Sequence, residues 1–153
     1  MKKARYDINI KNFLPHREPM LMATVTSYLD EDSVVTHFEI KKDCIFLDAA
    51  GHLSETGLIE NAAQASTAIV GQSYFEDDDL EGAGNKLVGY ISAIKKAEIF
   101  ELPEAGELLV TKARLVSRYD TGTMSLCTVT SSTFRNDDLI VDCTFNFLIH
   151  EAG

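Results

Sequence analysis

The sequence predicts an α+β domain in which one long buried helix is wrapped by an antiparallel sheet of five or six strands. Three observations carry that prediction. Residues Ser54 to Gln72 (SETGLIENAAQASTAIVGQ) read as one helix, apolar nearly all round, with Glu60 the single charge between Leu58 and Val70. A surface helix keeps charges along one face, so a helix of this composition is buried by other elements. The chain after it reads as strands, and the last has a clear period of two. Leu139, Val141, Cys143, Phe145, Phe147 and Ile149 point one way, against Asp142, Thr144, Asn146 and His150. Two strand signals also precede the helix, and an antiparallel sheet has a free face with which to enclose it.

Taken in order, residues 6 to 18 read as an irregular lead-in with a short helical turn, in which Pro15 and Pro19 bracket His16 and Arg17. Met20 to Tyr28 predicts a strand, Leu29 to Asp32 a tight turn, and Ser33 to Ile40 the strand that pairs back. His37 falls on the outer face of that strand. Residues 41 to 53 form a loop, Ser54 is placed to cap the helix, and Glu55 suits its first turn. The acidic run Glu76 to Glu81 reads as a solvated loop. Strands over Leu87–Phe100, Leu108–Arg118, Thr123–Phe134 and from Leu139 onward follow, joined by turns at Pro103–Gly106, Asp120–Gly122 and Arg135–Asp138.

The 153 residues make one domain, 1–153, large enough for a real core. Fourteen basic and 24 acidic residues give a net charge of −10, which argues against nucleic acid as the main partner. No apolar run reaches the length of a membrane span, so no membrane partner is expected. The basic N-terminus lacks the apolar stretch and cleavage site of a signal peptide, and the expected location is cytoplasmic. Cys44, Cys127 and Cys143 are odd in number and widely spaced, and the four histidines lack ligand spacing. Neither a disulfide framework nor a metal site is therefore expected, and no cofactor.

Chemistry concentrates on the helix. Glu60 and Gln64 are four apart, and Thr67 and Gly71 continue the same stripe, so the greasy helix has one polar seam. Burying a carboxylate is costly unless it is paired, hydrogen-bonded or protonated. Glu60 is thus either a satisfied buried group or a working acid facing a ligand.

A helix enclosed by a curved five- or six-stranded sheet is the hotdog arrangement. Such a sheet leaves edges uncovered, so pairing with a second copy is expected. Three stretches resemble the FabZ/FabA-type 3-hydroxyacyl-acyl carrier protein dehydratases. Leu14-Pro15-His16-Arg17 is similar to the N-terminal motif of that family. Leu58-Ile59-Glu60-Asn61-Ala62-Ala63-Gln64-Ala65 resembles its helix motif, and Ile91 to Ala97 with Pro103 and Gly106 its next strand and turn. The resemblance runs from about residue 14 to residue 109. It implies a catalytic role for Glu60, with a histidine partner from a Gly-His-Phe-Pro loop reaching across a dimer interface. Here Gly51-His52 is followed by Leu53-Ser54 and lies only eight residues before Glu60, and the family's longer spacing counts back to Phe46. This departure resembles the dehydratase-like hotdog proteins of aryl polyene and flexirubin-type pigment pathways.

The resemblance implies elimination of water from a 3-hydroxyacyl thioester, carried on acyl carrier protein or coenzyme A, as in fatty acid or polyketide-like synthesis. That reaction needs a base at C2, an acid at the C3 hydroxyl and donors for the enolate oxygen. Glu60 is read as the acid. The base is open among His52, His16 and Asp48. Backbone N–H groups near Thr56, Gly57 and Leu58 are read as the donors. Gln64 is read as a ligand of the acid or substrate, or as a tie between helix and sheet. Two other readings stand beside the dehydratase: a thioesterase of the same fold, and a non-catalytic acyl-binding subunit completing a heterodimer. Relatives carry a basic stretch where this chain has acidic Glu98 to Glu104; the substitute is either Lys112, Arg114 and Arg118, expected on one face of the next strand, or a basic surface supplied by a partner subunit.

Overall fold

A computed structural model describes residues 4–72 and 87–151, so the acidic run Glu76 to Glu81 lies outside the described residues. The helix α1 runs Glu55–Gly71. Ser54 caps it, its hydroxyl accepting from the Gly57 N–H, and Glu55 stands in the first turn, where the helix dipole favours negative charge. Leu58, Ala62, Ala63, Ala65, Ala68, Ile69 and Val70 are all buried. Burial of each large aliphatic chain contributes about 2 kcal/mol toward holding the helix against the sheet. The hydroxyls of buried Ser66 and half-buried Thr67 are satisfied within the helix, because each donates to the carbonyl one turn back.

The described residues form seven strands: β1 Arg5–Asn9, β2 Val25–Leu29, β3 Ser33–Glu39, β4 Leu87–Ile99, β5 Leu108–Asp120, β6 Ser125–Arg135 and β7 Asp138–Glu151. They form one antiparallel sheet in the order β1-β2-β3-β5-β6-β7-β4. α1 lies against β3, β5, β6, β7 and β4. One face of β2, β3, β5, β6 and β7 supplies the core; Val129, Cys143 and Phe145 are wholly buried there.

Three local differences from the sequence reading have plain causes. The lead-in contributes a strand, β1, paired with β2 and followed by a single 3-10 turn at Ile10–Asn12. Its short, half-buried pattern gives little periodicity to read. Strand β2 begins at Val25 rather than Met20, because helix side chains, not a neighbouring strand, take the backbone groups of Met20 and Met22. At the start of β7 a register shift between Thr133 and Phe134 puts Ile140 in the core and leaves Leu139 exposed. A bulge of this kind flips every side chain before it.

The turns fall where expected. Gly106 and Gly122 take positive φ, where a side chain would be strained. Asp30 closes the β2–β3 turn by accepting from the N–H groups of Asp32 and Ser33 at 2.9 and 2.7 Å.

Candidate active site

The polar seam of α1 faces one cavity. Glu60, Gln64, Thr67 and Gly71 all line a cavity of about 290 Å³, walled by Phe13, Pro15 and His16, by Tyr90 and Ile91 of β4, and by Phe147 of β7. The helical spacing of four residues is the reason these groups converge. Residues 13–16 reach the cavity because the segment up to Met22 is fastened to the helix.

Among the described residues Glu60 is the only acid in the cavity wall, and its side chain is 26% exposed. It is neither sealed away nor in bulk water. Gln64 donates to Glu60 Oε1 at 2.8 Å, and His16 Nε2 stands 3.6 Å from the same oxygen. That is slightly beyond hydrogen-bonding length, a separation that bound substrate commonly closes. The His16 Nδ1 is buried and has no hydrogen-bond partner among the described residues. Arg17, next in the chain, turns away and donates to the carbonyls of Leu14 and His16, bracing the loop.

The other candidates lie elsewhere. His52 lies between Asp48 and Glu104, at 3.7 and 3.5 Å, and is not in the cavity wall. Asp48 accepts the backbone N–H groups of His52 and Ala50. The His52 N–H above all, against a smaller opposing effect of burial, holds the Asp48 carboxyl below its usual range. At the helix start, the Leu58 N–H is already bonded to the Ser54 carbonyl at 3.0 Å. The Gly57 N–H faces Ser54 Oγ at 3.4 Å, and the Thr56 hydroxyl meets the same Oγ. A β-carbon on Gly57 would come within 2.7 Å of both Leu53 and Phe46, so close packing alone requires glycine there.

Asn61 received no role from the sequence, yet it is wholly buried beside Glu60 and bonds Met22 and Thr111. A fully buried amide on an apolar helix was the available signal. Burial pushes the Cys127 and Cys143 thiols up to about 11, so neither is a nucleophile near neutrality. Among the described residues no cluster of three or more His, Cys, Asp or Glu side chains is placed to hold a metal ion.

The expected basic face is also revised. A bulge between Leu115 and Ser117 turns Arg118 to the side of buried Cys127, away from Lys112 and Arg114. There it binds Asp120 and Ser125. The acidic stretch is partly neutralised instead: Lys96 pairs with Glu98, and Arg135 with Glu101 and Glu107.

No curated protein matches the sequence. Among solved structures, the dehydratase heterocomplex ApeI:P from Xenorhabdus doucetiae superposes with a TM-score of 0.77 at 18% identity, over 97% of this chain and 93% of that one. Cj0977, a sigma28-regulated virulence protein from Campylobacter jejuni, gives 0.64 at 12%, over 92% and 84%. A hypothetical thioesterase with coenzyme A from Streptococcus pneumoniae TIGR4 gives 0.54 at 12%, over 84% and 87%. At such identities the likeness establishes a hotdog fold. The ApeP dehydratase family model matches residues 8–146, nearly the whole chain, and this protein therefore belongs to the ApeP-like family.

Proposed function

We propose that the chain is a 3-hydroxyacyl-thioester dehydratase in which Glu60 and His16 form the working pair. The observation that carries this is their 3.6 Å approach in the wall of a cavity otherwise lined mainly by apolar side chains. His16 accepts the C2 proton of the substrate. Glu60 delivers a proton to the C3 hydroxyl, the C3–O bond breaks, and water leaves as the C2–C3 double bond forms. A proton passed from His16 back to Glu60 through solvent resets the pair.

The amides of Gly57 and Leu58 are engaged within the helix start, so the donor for the thioester oxygen is assigned to neither. His52 is the alternative base, and its engagement with Asp48 and Glu104 speaks for a role in bracing the loop.

At about 290 Å³ the cavity is at the small end for a ligand site, sized for a short acyl segment. It is bounded by β4, the last strand in the sheet order, whose Tyr90, Ile91 and Ile94 are 56%, 42% and 48% exposed. Among the described residues no further strand covers that edge, and an apolar edge of this kind is suited to pairing with another strand. A second hotdog subunit, the same chain or a related one, would cover it and lengthen the channel. The heteromeric neighbour supports a related partner, and the coenzyme A-bound neighbour leaves carrier protein and coenzyme A both open as thioester carriers.

The test is incubation with a 3-hydroxyacyl thioester, with and without a hotdog partner. Conjugated enoyl product supports the dehydratase. Free thiol without enoyl would replace it with a thioesterase, and silence from the pure chain with activity on adding the partner would make it a non-catalytic acyl-binding subunit of a heterodimer.

A further inference from the structure

We propose that the outer face of the sheet carries an anion site, in which Arg114 and Lys112 of β5, flanked by the hydroxyls of Ser33 and Thr130, take a phosphate group. The site is independent of the reaction assigned to Glu60 and His16.

Strand period puts these groups together. Along β5, Leu109, Thr111 and Ala113 are buried on the helix side, so Lys112 and Arg114 point the other way and are exposed. Arg114 pairs across the ladders with Ser33 of β3 and Thr130 of β6, and Lys112 with Val35 and Ser132. Paired residues share a face and neighbouring strands lie about 4.8 Å apart, so Arg114 has a hydroxyl on each flank. Lys112 is two residues along the same strand, about 7 Å away. These six residues line one shallow groove of about 410 Å³, which shares no residue with the Glu60 cavity.

Charge sets the groove apart. The chain carries 24 acidic residues against 14 basic, yet none of the ten described residues that line the groove is acidic. Elsewhere cations are engaged within the molecule: Lys11 with Glu18, Lys96 with Asp142, Arg118 with Asp120 and Arg135 with Glu101. Among the described residues Lys112 and Arg114 form no ion pair. Asp30 feels the Arg114 charge, but its oxygens are taken by the Tyr28 hydroxyl and by the N–H groups of Asp32 and Ser33. Asp142, beyond Ser132, accepts from Ser132 and is neutralised by Lys96 at 2.9 Å. Lys112 is held in place, its ammonium 5.3 Å from the centre of the Phe134 ring. The hydroxyls of Ser33 and Thr130 have no partner among the described residues and are free to donate.

The donor set selects phosphate. A guanidinium offers a planar fork of donors, an ammonium adds three more, and a hydroxyl can donate from either flank. A carboxylate has two oxygens and is filled by the fork alone. A phosphate keeps oxygens for Lys112 and a hydroxyl, so it uses the whole set. Val35 and Phe134 beside the cations give the carbon part of a phosphate ester a surface to lie on.

Amide NMR of the nitrogen-labelled chain, titrated with sodium phosphate against sodium chloride at matched ionic strength, tests this. The expected result is saturable displacement of the Ser33, Arg114 and Thr130 signals by phosphate and none by chloride. Arg114→Gln and Lys112→Gln should each weaken binding about tenfold or more, with the circular dichroism spectrum unchanged. Lys41→Gln makes the same charge change at an exposed residue outside the groove and should leave binding unaltered. Phenyl phosphate binding more tightly than phosphate would support the site with an ester as its ligand, and equal affinity would support it with free phosphate. Displacement that chloride reproduces, or that survives in Arg114→Gln, would overturn the proposal. Signals that move with an oligoglutamate peptide and not with phosphate would overturn it too, and assign the groove to an acidic protein surface.

Discussion

His16 Nε2 stands 3.6 Å from Glu60 Oε1, although one residue comes from an irregular loop near the N-terminus and the other from the second turn of the central helix. They meet because Gln64 and Asn61 stitch the loop's exit, Met20 to Met22, onto that helix. The contact depends on a tertiary clamp, and the chemistry proposed here depends on the contact.

Replacing either member should separate chemistry from stability. Glu60→Gln and His16→Ala are each expected to lower enoyl formation by about a hundred- to ten-thousand-fold, with the circular dichroism spectrum unchanged. His52→Ala should leave the rate within a few-fold and lower thermal stability modestly, because its interactions are with Asp48 and Glu104. Loss of turnover in His52→Ala, with His16→Ala active, would transfer the base to His52.

Gly57→Ala tests the packing under the helix start. The added carbon would lie 2.7 Å from Leu53 Cδ1 and Phe46 Cβ, and the expected cost is about 1–3 kcal/mol in denaturant unfolding. An unchanged midpoint would show that the 46–53 loop yields freely.

The β2–β3 turn predicts an acid-sensitive contribution. Burial works to raise the Asp30 carboxyl, but hydrogen bonds from Tyr28 and from the N–H groups of Asp32 and Ser33 outweigh it and leave it below its usual value of 3.8. A carboxyl lowered on folding adds stability that is complete above the unfolded value and fades as pH falls through the folded one. Asp30→Ala should therefore cost about 1 kcal/mol near neutrality and show a shallower loss of stability below about pH 4. Parallel acid profiles for the two proteins would contradict this.

The cysteines should react in a fixed order. Cys44 is partly accessible, whereas Cys127 and Cys143 are buried with thiols pushed up to about 11. Alkylation at neutral pH, read by peptide mass, should label Cys44 first and the other two only on unfolding. Early labelling at Cys143 would mean that β7 opens locally.

How much could be read from the chain alone differs between helix, strands and site. The composition of residues 54–72 settled that the helix is buried, and the spacing of Glu60, Gln64, Thr67 and Gly71 settled that they share a face, because both follow from helical period and hydrophobicity. Period two likewise announced β7 from Val141 onward. Strand β1, the bulge that turns Arg118 inward, and the late start of β2 were not legible, since each depends on which backbone groups find partners across the fold. The same holds for the site. Local pattern nominated Glu60 and left the base open among His52, His16 and Asp48; only the folded backbone, with Met22 held between Asn61 and Gln64, brought His16 to the carboxylate and gave His52 to Asp48 and Glu104. Side-chain periodicity is a property of neighbouring residues, whereas proton-transfer distance is set by contacts between segments far apart in the chain.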